Sequence, residues 1–163
     1  MLPGTPDVSP RVSDSRDVQF LSAAHAAGLH ALSMEPDVAA VAGVDVAISL
    51  DIALEFIALA TKARENGRAF IFVLTHGPEV SGICRLIGVL GVPRLIVAVA
   101  HAYRGQGNGA FLVGHVLEYA FETLGLERVT AAGACLRVVS QFGRLEGNGL
   151  SRSEWLAKRL ENG

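Results

Sequence analysis

The stretch Leu95-Ile96-Val97-Ala98-Val99-Ala100-His101-Ala102-Tyr103-Arg104-Gly105-Gln106-Gly107-Asn108-Gly109-Ala110 joins an apolar run to a glycine-rich loop. Leu95 to Ala100 are apolar without alternation, the pattern of a strand buried on both faces, and predict a central place in a sheet. Beyond the loop, Leu112, Val113, Val116, Leu117, Ala120, Phe121 and Leu124 fall on one helical stripe, which Gly125 closes. Gly105, Gly107 and Gly109 permit torsions closed to other residues and let a ligand reach the main chain with no Cβ between. Free N–H groups at a helix start, the helix dipole and the neighbouring Arg104 together make a seat for a phosphate or pyrophosphate.

Upstream, Gln19–Met34 has the period of a helix, with Leu21, Ala24, Leu29 and Leu32 on one side and Pro36 as its stop. Ser49 reads as the N-cap of a second helix that ends at Asn66-Gly67, with Ile52, Phe56, Leu59, Ala60 and Ala63 as its inward stripe. Three β-branched and apolar runs follow, Ala69–Leu74, Val80–Leu90 and Leu95–Ala100, joined by short turns that predict an antiparallel meander. Downstream, Arg128–Ala132 reads as a strand and Cys135–Phe142 as a helix. Positions 1–17 hold three of the six prolines and predict an extended or mobile segment with at most a short strand, leaving 18–163 as one domain. The class is α/β.

Half of the 163 residues are hydrophobic, enough for one core, yet the two most apolar stretches each carry charged residues and neither reads as a membrane span. Fourteen Lys and Arg against sixteen Asp and Glu, with no basic run, leave no electrostatic footprint for nucleic acid. Two cysteines, Cys84 and Cys135, make no disulfide framework, and Met1-Leu2-Pro3-Gly4 lacks the regions of a signal peptide, so a reducing cytoplasm is the expected address. The spacings of zinc sites are absent, and no metal is expected.

A nucleotide P-loop would end in Gly-Lys-Ser/Thr, whereas this loop ends Asn108-Gly109-Ala110-Phe111. A dinucleotide fold would place its glycines directly after the first strand and an acidic residue at the end of the next; here four residues intervene, and the next strand ends Ala131-Ala132-Gly133. The run from Val97 to Gly109 instead resembles the acyl-CoA loop of the GNAT N-acetyltransferases, with Arg104, Gly107 and Gly109 at the positions of its Gln/Arg-x-x-Gly-x-Gly/Ala pattern. Leu117 to Val129 and the Met34-Glu35-Pro36-Asp37-Val38 segment are similar to the branch that acetylates ribosomal-protein N-termini and small amines. The resemblance covers about residues 20 to 147 and is strongest from 95 to 130.

The resemblance implies a mixed, mostly antiparallel sheet flanked by helices and splayed between its fourth and fifth strands. It implies acetyl-CoA as co-substrate and direct attack by a primary amine of a small molecule or a protein N-terminus. Val97, Ala98 and Val99 would offer main-chain groups to pantetheine, and the N–H groups of Arg104, Gly105, Gln106, Gly107, Asn108, Gly109 and Ala110 would hold the pyrophosphate.

The chain departs from the family pattern where the chemistry is done. Ala132 replaces the asparagine of the fifth strand, Cys135 a serine, Val139 the tyrosine that often protonates the thiolate, and Arg94 a glutamate of the fourth strand. Arg144 stands for a phenylalanine, and the short tail after Gly147 predicts shortened closing strands. His101 is a candidate base; its bland alternative is a solvated loop residue. Cys135 is a candidate acid or donor to the thioester sulfur, or a packing residue; Ser140 is weaker. These substitutions keep a second reading open, a CoA-binding or interaction protein that has lost efficient transfer. The apolar surplus and short C-terminus predict a homodimer.

Overall fold

A computed structural model describes residues 15–162. Most of the expected extended segment, positions 1–14, lies outside the described residues. The first strand, β1 (Arg16–Phe20), pairs antiparallel with β2 (Phe70–His76) from Arg16 opposite His76 to Phe20 opposite Phe72. This corrects the helix expected over Gln19–Met34, of which only α1 (Ala26–Leu32) and a preceding 3-10 turn, Ala23–His25, are helical. Phe20 lies against Phe70, Phe72 and Tyr119, so strand pairing and aromatic packing outweigh local period. Pro36 does not simply end a helix: it opens α2 (Pro36–Ala42) at its first turn, where a missing N–H costs nothing.

Ser49 caps α3 (Leu50–Glu65) as expected, its hydroxyl accepting from the Ile52 N–H at 3.1 Å. The orientation of α3 differs from the expected one. Ala53 and Ile57 are buried, whereas Ile52 is 46% and Leu59 70% exposed. α3 packs on α1 and β2, and small Ala53 at that contact lets the backbones approach.

The meander continues through β3 (Glu79–Ile87) to β4 (Arg94–Val99). Past the loop come α4 (Asn108–Glu118), a π-helical turn Tyr119–Thr123, β5 (Arg128–Thr130) and α5 (Ala134–Val139) with a 3-10 turn Ser140–Phe142. A short hairpin, β6 (Leu145–Glu146) and β7 (Gly149–Ser151), leads into α6 (Arg152–Asn162), so the closing strands are brief. The sheet order is β1-β2-β3-β4-β5-β7-β6, antiparallel throughout except for the parallel β4–β5 pair. Along β2, Phe72 and Leu74 face α4 and α5, while Ile71 and Val73 face α1 to α3. Both faces of the sheet are therefore covered, and Trp155 of α6 is buried against Phe121.

Candidate active site

β4 is central in the sheet, but only Leu95 of it is buried, and Ile96 to Val99 are half-exposed. The expectation of burial on both faces fails because β5 meets β4 at one residue pair, Arg94 opposite Thr130, anchored by the Thr130 N–H and hydroxyl donating to the Pro93 carbonyl, each at 2.9 Å. The sheet splays from there. Ala100 N–H donates to the Ser81 carbonyl at 2.8 Å, which sets the phase of the β3–β4 ladder. In that phase alternate residues face β3, and the main-chain groups of Val97 and Val99 are directed into the gap.

Two side chains meet those groups. The Arg104 Nε donates to the Val99 carbonyl at 2.7 Å, and the thiol of Cys135, in the first turn of α5, faces the Val97 N–H. Burial pushes the Cys135 thiol up to about 11 against the opposing pull of that N–H, so it is neutral near pH 7. Val139 is buried in the core under α5, and the Ser140 hydroxyl is turned back on the Arg137 carbonyl at 2.7 Å. Arg94 is exposed at the closed start of β4.

The loop at the open end of the gap is locked from beneath. Asn108 is buried; its amide donates to the Tyr103 carbonyl at 2.9 Å, and its Oδ1 accepts from Arg16 at 3.1 Å. The Arg16 guanidinium also covers the Phe111 ring at 4.1 Å, tying β1 to the start of α4. Gly105 and Gly107 adopt φ of +74° and +80°, and a Cβ on either would point into open space. Among the described residues, the first helical bond is from Phe111 N–H to the Gly107 carbonyl at 3.0 Å, and the N–H groups from Gly105 to Ala110 have no protein acceptor. The Arg104 N–H, by contrast, is used on the His101 carbonyl at 3.3 Å. A concave row of free donors with the α4 dipole behind it suits an anion.

The mouth of the loop carries a network that the sequence did not single out. Arg104 Nη2 donates to Asp37 Oδ2 at 2.7 Å, and this guanidinium, followed by His101, holds the Asp37 carboxyl down to about 2. His101, expected as a base facing the gap, is exposed in a 3-10 turn with its Nε2 3.3 Å from Asp37 Oδ2 and its N–H on Glu35 at 2.9 Å. Ligand atoms of Glu35, Asp37 and His101 lie within 4.8 Å of one another, a spacing that could hold a cation, but Arg104 already neutralises Asp37. The signal available in the sequence was Glu35-Pro36-Asp37, which carried only a helix stop at Pro36 and part of the family resemblance.

Residues 18–135 match the acetyltransferase (GNAT) domain. The chain belongs to the GNAT acetyltransferase family. The splayed β4–β5 pair and glycine-rich loop are thus seen in a GNAT fold, and the chain is an N-acetyltransferase by family. A solved structure of a probable acetyltransferase is similar at 18% identity over 88% of this chain and 97% of that one, with a TM-score of 0.74. The ribosomal-protein-S5-alanine acetyltransferase of Vibrio fischeri is similar at 12% identity over 86% and 95%, TM-score 0.71. The spermidine N-acetyltransferase of Vibrio cholerae, solved with CoA and spermine, is similar at 16% identity over 88% and 99%, TM-score 0.67. No curated protein matches the chain. At these identities the structures speak to the GNAT fold alone.

Proposed function

We propose that this GNAT chain transfers the acetyl group of acetyl-CoA to a primary amine of a small molecule or a protein N-terminus by direct attack. The observation that carries it is the row of unpartnered N–H groups from Gly105 to Ala110 at the open end of the gap. The pyrophosphate sits on that row, and pantetheine runs into the gap along the main chain of Val97 and Val99. Once the Cys135 sulfur gives it up, the Val97 N–H is the donor placed for the oxyanion that develops on the thioester carbonyl. For pantetheine to reach the Val99 carbonyl, the Arg104 side chain must leave it, and the phosphate charge is the partner that draws it away.

Cys135 stands where the leaving sulfur would emerge. A thiol at about 11 transfers its proton poorly to an ordinary thiolate, near about 8.5, so its role is that of a weak S–H donor rather than a full acid. Attack needs the amine in neutral form, and His101 is the imidazole at the mouth of the site. A likeness to structures of enzymes acting on a ribosomal-protein alanine and on spermidine supports an amine acceptor.

Calorimetric titration with acetyl-CoA tests the reading: saturable micromolar binding that Gly107→Trp abolishes is expected, and no heat at high micromolar ligand overturns it. Direct attack gives intersecting double-reciprocal plots with an amine acceptor; parallel lines would show an acetyl-enzyme instead. A second reading, CoA binding without efficient transfer, is favoured by the side chains already meeting Val97 and Val99 and by Val139 in place of a tyrosine. Binding with no turnover across a panel of amines and N-terminal peptides would select it.

A further inference from the structure

We propose that the outer face of α3 is the interface of a homodimer, in which α3 packs antiparallel against α3 of a second copy. Ile52, Phe56, Leu59 and Ala63 repeat at i, i+4, i+7 and i+11, the spacing of a helix–helix seam, and flank the core face of Ala53 and Ile57, against which Phe56 is half-buried. Leu59 is 70% and Ile52 46% exposed, so an apolar strip beside the core face is left uncovered, while Leu50 and Leu54, also exposed, lie off that strip. Val44, just after α2, lies beside Ile52, Phe56 and Leu59 along the edge of a surface groove and widens the apolar strip.

The charges on this face select both the occupant and the direction. In heptad terms Ile52 and Leu59 take d positions, Phe56 and Ala63 take a positions, and Glu55 and Lys62 are the two g positions. Antiparallel pairing of α3 with a copy of itself sets g opposite g, bringing Glu55 of each chain to Lys62 of the other, twice by symmetry. It also layers Phe56 on Leu59 and Ile52 on Ala63. Parallel pairing would instead set g opposite e, where Ala53 and Ala60 stand and no charge is matched. Neither Glu55 nor Lys62 has an ion-pair partner within its own chain among the described residues. The face is thus complementary to itself in one orientation. One helix per side is a small interface, and the dimer is accordingly of the weak, concentration-dependent class.

Sedimentation velocity from low to several hundred micromolar protein tests this, with circular dichroism to show that each variant is folded. The expected result is a monomer–dimer equilibrium for the parent and monomer alone for Leu59→Glu. Glu55→Lys and Lys62→Glu should each weaken association about tenfold, through facing like charges. The double variant E55K/K62E, and an equimolar mixture of the two single variants, should both recover it, since each restores opposite charges across the seam. A parent that stays monomeric at every concentration overturns the proposal. So does a dimer that Leu59→Glu leaves intact, or charge variants that swapping and mixing fail to rescue.

Discussion

The Arg104 guanidinium donates to the Asp37 carboxylate at 2.7 Å, and through Nε to the Val99 carbonyl at the same distance. An α2 residue thereby holds the arginine of the glycine-rich loop across the open edge of β4. The pair depresses Asp37 from 3.8 to about 2, so folding favours the ionised form. Its stabilisation is complete above the unfolded pKa and is lost as pH falls through the folded one. In Asp37→Asn, the unfolding temperature between pH 4 and pH 2 should therefore fall less steeply than in the parent. Equal slopes by calorimetry would show that the ion pair does not contribute.

The same substitution frees Arg104 for a phosphate. An exposed ion pair is weak, so acetyl-CoA should bind Asp37→Asn a few-fold more tightly at low ionic strength. The gain should shrink with added salt as the loop charges are screened. Weaker binding by Asp37→Asn would mean that Asp37 positions Arg104 for the ligand rather than competing with it.

Gly107→Ala separates folding from binding. A left-handed torsion at a non-glycine residue costs about 1–2 kcal/mol, which for a domain of this size lowers the unfolding temperature by about 2–8 °C. The new methyl group meets no protein atom, since the space above Gly107 is open, but it stands in the path of an anion on the loop. Affinity for acetyl-CoA should fall more than tenfold. A loss of stability with unchanged affinity would place the pyrophosphate elsewhere.

Asn108→Ala should be the more damaging change to the fold. It leaves the Tyr103 carbonyl and the Arg16 guanidinium without their buried partner, a loss of about 1–3 kcal/mol. Thermal unfolding should drop by several degrees. Arg16→Ala should share part of that loss, because both act through one contact, and the double variant should be less than additive. Strict additivity would deny the coupling between β1 and the loop.

Both thiols should be slow to react in the folded protein at neutral pH. Burial pushes Cys84 well above its ordinary range and Cys135 to about 11, so little thiolate exists near pH 7. Labelling with a disulfide reagent should count two thiols only after denaturation, and the Cys135 rate in the folded state should rise steadily with pH. Rapid labelling of Cys135 at pH 7 would show a thiol low enough to protonate the leaving thiolate fully and would restore it as an acid.

Leu95 to Ala110 was legible as strand, loop and helix because a nonalternating apolar run, three glycines and a striped helix are local patterns. The closing strands are brief, as expected, at Leu145–Glu146 and Gly149–Ser151. The family resemblance told that the sheet would splay. It did not tell that Cys135 and Arg104 would meet the two open residues of β4, because those contacts join positions far apart in the chain.

Other features were settled only in three dimensions. Gln19 and Phe20 carry helical periodicity, but pairing with Val73 and Phe72 makes them a strand. The stripe of α3 is plain in the sequence, yet a helical period says only which residues share a face; contact with α1 and β2 through Ala53 and Ile57 decided which face is inside. Asp37 and His101 met Arg104 because α2 lies beside the end of β4. The amino-acid sequence by itself determined the elements of the anion-binding loop and the fold class, since both rest on backbone freedom and local burial patterns. Only the tertiary structure decided which side chains reach the gap and which apolar residues of α3 are left exposed, because those outcomes depend on packing between segments that no local pattern records.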